Sequence, residues 1–356
     1  MSRTMITAQK VIFDKLDGHC AAAGNAVANS GSPRWISGTP GDSAFLTDAQ
    51  ISHVFRVTPR RIIARLDFKG RTFFSTLGLQ GVAAPTGLEA GETTPGLVSV
   101  LLAEGKPRPV ATALEIKNVV EFTDRNQDPS YDGHDYTVIA KLFGEIEVFE
   151  GEEIAESETW RAYYEICLGY VSFMDTWIEE NTTEALETLT DLSELGLPYQ
   201  ILCRALFDAD PAGLFLALYR CLEAIYAFAA STRIASALGF NGPWKTVAIV
   251  LEQQIGWRPR EESSLAELFA KSNEVHLCDI FECFGEQRPD IGENLAEMAA
   301  KKTYKLRNHL VHYRPIHHTV EHKDIQWNNL CITLSKIILD VYYSVFMPAS
   351  APEDAC

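Results

Sequence analysis

One short stretch of the sequence concentrates side chains that could bind and process a phosphate. Residues 301–318 read KKTYKLRNHLVHYRPIHH and hold five basic side chains and four histidines. Within this stretch Arg307 is followed directly by Asn308 and, four positions further on, by His312. Histidine titrates near neutral pH and can take or give a proton, and the planar fork of an arginine matches a phosphate. The stretch is therefore a candidate site for phosphate chemistry.

Cleavage of RNA is a reaction that these residue types fit. The 2′-hydroxyl of RNA can attack the adjacent phosphate, which requires a group that moves a proton and a fixed cation at the oxygens where charge develops. We predict His312 as the general acid or base and Arg307 as the clamp on the phosphate. Asn308 would orient the histidine or the phosphate, because residues four apart share a face of a helix.

The charge distribution indicates a local site for an anion. The chain carries a net charge of −17, which argues against broad, nonspecific binding of nucleic acid. Residues 301–320 nevertheless contain five cations and no acid, so a basic island interrupts an acidic protein. The alternative is an ordinary helix end, where cations favour the helix dipole. The residues that we predict to hold an RNA backbone are Lys301, Lys302, Lys305, His309 and Arg314.

At these residues the sequence resembles the HEPN family of small helical-bundle proteins. The resemblance rests on Arg307, Asn308 and His312 within the basic run YKLRNHLVHYRP, and as a helical pattern it covers residues 210–347. Many members of that family are metal-independent endoribonucleases, whose motif is an arginine, a polar residue and a histidine a few positions on. The resemblance implies an endoribonuclease of a toxin or antiviral defence type, with no cofactor and with an RNA such as tRNA as its substrate.

Helix geometry places a condition on this site. On an ideal helix Arg307 and His312 are separated by about 140° around the axis. Either the helix loosens before His312, which Pro315 favours, or a second copy of the chain completes the site. The resemblance implies the second arrangement, because HEPN bundles pair face to face around a shared cleft, and we therefore expect a homodimer.

Other interpretations of the same residues stay open. Arg307 could form a salt bridge to the acidic surface of its own bundle, and His312 could cap the end of its helix. The bundle would then be a non-catalytic module that dimerises or binds RNA or protein, or an unrelated helical protein with a chance match. A metal site is a further alternative, although we expect none, because the flanking cations would repel a metal. The side chains concerned are His309, His312, His317, His318 and His322, with a second group at His276, Cys278 and Cys283.

Composition places the chain among globular proteins. It has 356 residues and is 46% hydrophobic, enough for two or three domains with substantial cores. Eight cysteines are scattered without a Cys-x-x-Cys pair, as reduced core cysteines are, which favours a cytoplasmic protein. The N-terminus lacks the apolar core of a signal peptide and no long apolar run follows, so we expect neither secretion nor a membrane span. Glycine-rich phosphate loops and Gly-x-Ser-x-Gly do not occur, which argues against NTPases, dehydrogenases and serine hydrolases.

Hydropathy patterning predicts an α+β fold with a β-leaning N-terminal domain over residues 1–150. Residues 61–68 and 71–76 read as two strands joined by a tight turn at Lys69-Gly70, and further strands are predicted at 97–102, 111–122 and 137–149. Acidic residues between 124 and 135 resemble a calcium loop in spacing, but Pro129 stands where an EF-hand needs glycine, so we interpret them as an acidic hairpin loop. We expect this domain to sense a signal or to bind a regulatory protein or ligand.

Helical periodicity governs the rest of the chain, with a connector at 151–209 and an all-α, HEPN-like bundle at 210–347. Asp210-Pro211 is a strong helix start, with the aspartate as N-cap. Asp290 and Glu293 resemble a capping box that begins the helix carrying the site, and Pro315 ends it near residue 313. The predicted helical segments are 154–178, 184–195, 199–207, 211–238, 244–255, 264–271, 291–313 and 323–347.

Overall fold

The structure is a computed structural model that describes residues 4–292, 294–312 and 324–347. It divides into two compact units, Met1–Phe173 and Met174–Cys356. The first unit contains an antiparallel sheet with helices, and the second is largely helical. The chain therefore has the α+β fold expected from its patterning.

The sheet of the first unit consists of five antiparallel strands: β1 (Gln50–Thr58), β2 (Arg61–Phe68), β3 (Arg71–Leu77), β4 (Glu89–Ala90) and β5 (Ile146–Glu152). Their order across the sheet is β1-β2-β3-β5-β4. The predicted hairpin is confirmed, because β2 and β3 pair in register as far as Phe68 opposite Arg71. Lys69 and Gly70 have φ angles of 49° and 74°, the left-handed backbone that a two-residue turn requires.

Helices cover both faces of this sheet. They are α1 (Met5–Ala22), α2 (Pro40–Asp48), α3 (Pro95–Gly105), α4 (Ala113–Val120), α5 (Tyr136–Lys141) and α6 (Thr159–Phe173). On one face Ile62, Ala64 and Leu66 of β2 share a core with residues of α1, α3 and α4. On the other face the ring of Phe74 lies 5.4 Å from that of Tyr163 in α6. Burial from both sides explains why residues 62–66 of β2 are all buried, and why Ile63 breaks the alternation of apolar residues with Arg61, Arg65 and Asp67.

The other predicted strands of this unit are wrong in whole or in part. Residues 97–102 lie in α3, residues 111–122 contain α4, and residues 137–149 contain α5 before β5 begins. Nearly every residue of α3 is buried, so its sequence lacks the polar face that would mark a helix. Caps mark the starts of both helices: Thr94 precedes Pro95 at α3, and Thr112 forms a capping box with Glu115 at α4. Strand β1 and helix α1 are elements that the patterning did not predict.

The acidic loop at residues 124–135 connects α4 to α5 rather than two strands, so the hairpin prediction is wrong. Asp124 is fully buried and accepts hydrogen bonds from the backbone N–H groups of residues 126 and 127. Asp128 accepts from the backbone of Ser130, and Asp135 caps the start of α5. These carboxylates therefore hold turns and a helix end, a structural role that accounts for their spacing.

The described part of the second unit contains a 3-10 helix, Thr188–Leu195, and nine α-helices: α7 (Glu180–Glu187), α8 (Tyr199–Ala205), α9 (Pro211–Glu223), α10 (Phe228–Ala237), α11 (Trp244–Ile255), α12 (Glu261–Phe269), α13 (Glu274–Cys283), α14 (Leu295–Val311) and α15 (Trp327–Phe346). The Asp210 cap is confirmed, since its side chain accepts from the N–H of Ala212 at 3.0 Å. The expected helix 211–238 is divided between Glu223 and Phe228, and α13 was not predicted. The predicted helix 154–178 ends at Phe173 as α6, inside the first unit.

Helix α14 differs from the prediction at its start. Its N-cap is Asn294, not Asp290, and no side chain caps it. The predicted partner Glu293 lies outside the described residues, as do residue 313 and Pro315 beyond the other end. Along one face of the helix Leu295, Ala299 and Leu306 are buried, and Leu310 is half-buried.

The core of the second unit lies between its most apolar helices. The hydroxyl of Tyr342 in α15 donates to the backbone oxygen of Cys221 in α9 at 2.9 Å. Seven cysteines of the described chain are free and buried, as the scattered spacing predicts, and Cys356 lies outside the described residues. Among the described residues, Pro211–Ala237 and Trp327–Phe346 are long and apolar enough to cross a membrane, and 56% of the apolar window in each is buried in this structure.

Candidate functional site

Helix α14 carries the candidate site on the side away from its buried stripe. Between it and α12 lies an open cleft of about 560 Å³. The cleft is polar, and cations from α14 face acids from the first turn of α12 across it. It is lined by Glu261, Glu262, Lys301, Tyr304, Lys305, Arg307, Asn308, His309 and His312.

Arg307 is the most highly bonded side chain of this cleft. Its Nη2 donates to Oε1 of Glu223 at 3.1 Å, and its Nη1 lies 3.3 Å from Oε2 of Glu261. The same Nη1 donates to the side-chain oxygen of Asn308 at 3.0 Å. The guanidinium lies over the ring of Tyr219, 5.8 Å from its centre. The salt bridges that were one alternative for Arg307 are therefore present, and they fix the orientation of its planar fork.

The electrostatics of this cluster favour a charged arginine between two carboxylates. Burial opposes the charge of Arg307, but Glu261 and Glu223 outweigh it and raise the pKa of the guanidinium. Burial raises the pKa of Glu223, with the nearby charge of Glu261 adding to the effect and Arg307 opposing it. Two carboxylates share the Arg307 guanidinium, and the charge of Arg220 has a smaller effect on Glu223.

His312 lies directly after the end of α14. The helix ends at Val311, and His312 has an extended backbone with φ −104° and ψ 100°. Its N–H donates to the backbone oxygen of Asn308 at 3.0 Å, and its side chain is exposed. His312 thus occupies the C-cap position, and the bond to the helix comes from its backbone N–H. Because the helix has ended, the 140° separation of an ideal helix does not apply, and Arg307 and His312 line the same cleft within one chain.

The five residues predicted to hold an RNA backbone are placed differently from one another. Lys301, Lys305 and His309 line the cleft with the three motif residues. Lys302 does not line it: its Nζ pairs with Glu286 and lies 4.4 Å from the centre of the Phe284 ring. Arg314 lies outside the described residues.

The histidines and cysteines weighed as a metal site have other environments. His317, His318 and His322 lie outside the described residues, and Nδ1 of His276 is 2.8 Å from the carboxylate of Asp340. Cys278 and Cys283 are buried, and burial raises the pKa of the Cys283 thiol to about 11, so it is protonated at neutral pH. Within the described ranges, no three His, Cys, Asp or Glu side chains converge as metal ligands.

Glu223, Glu261 and Tyr304 belong to the site but were not predicted from the sequence. Glu223 lies 84 residues before Arg307 in the chain, in the last turn of α9. Glu261 opens α12, where acids are common because they favour the positive end of a helix dipole. Such positions carry no signal of a site until the helices are packed. Tyr304 could have been found, since it precedes Asn308 by one helical turn and shares its face.

Comparison with known proteins adds no assignment to this geometry. No family model, no curated protein and no solved structure matches the chain.

Proposed function

We propose that this cleft is the active site of a metal-independent endoribonuclease. The observation that carries the proposal is that Arg307, Asn308 and His312 line one open cleft together with Lys301, Lys305 and His309. A cation held by fixed partners, an exposed histidine and flanking basic groups are the parts that RNA cleavage by its own 2′-hydroxyl requires.

In the proposed reaction the 2′-oxygen of a ribose bonds to the adjacent phosphorus, and the bond from phosphorus to the 5′-oxygen breaks. The proton lost by the 2′-hydroxyl passes to a base, and the departing 5′-oxygen gains a proton. His312 serves one or both transfers as general base and acid, and Arg307 binds the non-bridging oxygens where negative charge grows. The products are a 2′,3′-cyclic phosphate end and a 5′-hydroxyl end.

The HEPN resemblance supports the wider setting of this proposal. It implies a homodimer in which a second His312 would share the two proton transfers, and a cytoplasmic toxin or antiviral role with RNA such as tRNA as substrate. The first unit would then sense a signal or ligand, or bind a partner protein that holds the nuclease inactive. This setting rests on the resemblance and on the architecture of two compact units.

The decisive experiment measures cleavage of a mixed tRNA and structured-RNA pool with a chelator present. We expect the full chain to cut, and we expect His312→Ala and Arg307→Ala to lose at least about a hundredfold in rate. Lys305→Ala tests the basic lining of the cleft. Lys302→Ala is its matched control, because Lys305 lines the cleft and Lys302 does not. Cleaved fragments should carry 2′,3′-cyclic phosphates. Cutting that survives in His312→Ala would move the active site elsewhere.

A non-catalytic module is the second candidate function, and one observation favours it. Arg307 already has two carboxylates and an amide as partners, which is how a purely structural arginine is satisfied. A non-catalytic module predicts that the cleft binds RNA in a salt-dependent way and does not cleave it. RNA binding that falls with salt, is lost in Lys305→Ala and yields no cut product would favour this module over a nuclease that is active in the isolated chain.

A further inference from the structure

The two carboxylates on Arg307 differ in position and in exposure. Glu223 extends from α9, and its side chain is 26% exposed, whereas the Glu261 side chain from α12 is 41% exposed. Glu261 lines the open cleft, and Glu223 is not among the residues that line it. The guanidinium therefore has an inner carboxylate behind it and an outer carboxylate on the side that faces solvent.

The outer carboxylate occupies the place that an anionic ligand would need. Carboxylates and phosphates bind the same fork of guanidinium donors. Nη1 faces Glu261 at 3.3 Å, and Glu262, the next acid of α12, lines the cleft as well. A phosphate that approaches Nη1 would have to replace the ion pair with Glu261, and both acids of α12 would repel it.

The first turn of α12 can release Glu261 at low cost. No side chain caps this helix, whose N-cap is Arg260. The distance of 3.3 Å is the longer of the two ion pairs, and a pair that is two-fifths exposed on one side contributes little free energy. Rotation of the Glu261 side chain alone would free one N–H of Nη1, while the other stays bonded to Asn308 and Nη2 stays bonded to Glu223.

We propose that Glu261 is an internal competitor that occupies the anion position of Arg307 in the free protein and is displaced by a phosphodiester ligand. Glu223 is the positioning residue that keeps the guanidinium oriented after Glu261 has left. The identity of the ligand as a phosphodiester rests on the proposed function. The competition itself rests on the unequal placement of the two carboxylates.

The test uses a fluorescent single-stranded RNA with 2′-O-methyl groups, which cannot be cleaved by its own hydroxyl. Its dissociation constant is measured with the full chain by fluorescence anisotropy at fixed salt. Glu261→Gln should tighten binding by about fivefold, because it removes both the competitor and a repelling charge. Glu262→Gln is the matched control: it removes the same charge from the same cleft but no contact to Arg307. It should tighten binding by less than about twofold.

Glu223→Gln removes the same charge from the other side of the guanidinium and should act in the opposite direction. Without the inner carboxylate, Arg307 is drawn towards Glu261, so binding of the probe should weaken. A thermal melt of each variant shows that the folded state is intact. Partial unfolding of a variant would lower the amount of protein that can bind the probe. It would not tighten binding in Glu261→Gln while weakening it in Glu223→Gln.

The outcomes separate this inference from the proposed function. Equal tightening by Glu261→Gln and Glu262→Gln, or no probe binding by Glu261→Gln, would overturn the competition. Tighter binding by Glu261→Gln alone supports it, even if no variant cleaves RNA, in which case the proposed nuclease activity would fail separately. Cleavage that depends on His312, together with identical probe affinities for all three glutamine variants, would support the nuclease activity. It would contradict the proposal that Glu261 competes with the ligand.

Discussion

Two arginines, one in each unit, show how the same side chain is used in opposite ways. In the first unit the Arg34 side chain is 1% exposed and pairs with Asp17, itself 7% exposed, beneath the ring of Phe13. In the second unit Arg307 is 17% exposed, has two carboxylate partners and opens onto a cleft. Burial keeps Arg34 out of reach of a ligand, although its Nε has no hydrogen-bond partner among the described residues, whereas Arg307 faces a cleft and can offer a donor once an exposed partner leaves. Exposure of the partner, more than the presence of a salt bridge, separates a structural arginine from a candidate binding residue.

The largest expected effect comes from breaking the buried pair. Arg34→Met should lower the free energy of unfolding of the first unit by about 3–5 kcal/mol, because Asp17 would remain buried without a counter-charge. Arg307→Met should cost only about 1 kcal/mol, since its partners reach solvent. Hydrogen exchange of peptides from each unit in the full chain measures both losses.

The double variant Arg34→Met with Asp17→Asn is the control for this contrast. It removes both charges and should recover part of the stability that Arg34→Met loses. Equal losses for Arg34→Met and Arg307→Met would show that the two arginines have the same role, and the contrast between the units would then be wrong.

The next largest effect concerns pH and again belongs to the first unit. Burial lowers the pKa of His134 to about 4, with the charge of Arg34 acting in the same direction. The unfolded chain binds a proton below its ordinary pKa of 6.5, while the folded state does not until about pH 4. Stability of the first unit should therefore fall as the pH drops from 6.5 to 4, by up to about 3 kcal/mol.

The variant His134→Phe tests this origin of the pH dependence. It keeps a ring beside Phe13, whose centroid is 5.2 Å from that of His134. Unfolding by urea at several pH values should show that the variant loses much less stability between pH 6.5 and 4. If the free energy of unfolding of His134→Phe falls with pH as steeply as that of the wild type, another group causes the acid sensitivity of the first unit.

How far the sequence could predict the fold differs between the units for a physical reason. In the second unit the cap at Asp210-Pro211 and the amphipathic pattern of α11 were predicted correctly, whereas α13 was missed and the cap of α14 was misplaced. In the first unit α3 is buried on almost all sides, and its valines and leucines suit a strand as well as a helix. Only Thr94-Pro95, a cap followed by a helix-starting proline, distinguishes the two.

The site could be predicted only in the part that lies on one helix. Arg307, Asn308, His309 and Lys305 are neighbours in the sequence, and the structure places them along one cleft. The acids that control Arg307 come from α9 and α12, and their approach depends on how three helices pack. The end of α14 before His312 was one of two arrangements that the sequence left open, since an early helix end depends on the local balance of caps and packing.

Removing a helix cap in each unit should have a smaller effect on stability than the changes above. Thr112→Ala in the first unit and Asp210→Ala in the second should each lower stability by about 1 kcal/mol, because each removes an acceptor for an N–H at a helix start. Replacing each cap by Ser should restore most of the loss. A cost confined to the unit that carries the cap, seen by hydrogen exchange, would show that the two units respond separately. Equal loss of protection in both would show that they unfold together.

The smallest expected effect is a pH dependence of opposite sign in the second unit. Burial, with the charge of Glu261, raises the pKa of Glu223 above its ordinary 4.5, so the folded state takes up this proton more readily than the unfolded chain. As the pH falls from neutral towards 4.5, Glu223 should therefore add stability to the second unit, while His134 removes it from the first. Glu223→Gln should abolish this gain, and Glu262→Gln, an exposed acid of the same cleft, should keep it. Hydrogen exchange of α9 peptides between pH 7 and 4.5, corrected for intrinsic rates, measures the difference. If the stability of α9 changes with pH equally in the wild type and in Glu223→Gln, Arg307 holds both carboxylates ionised. Glu223 would then be bound to Arg307 as firmly as Asp17 is to Arg34.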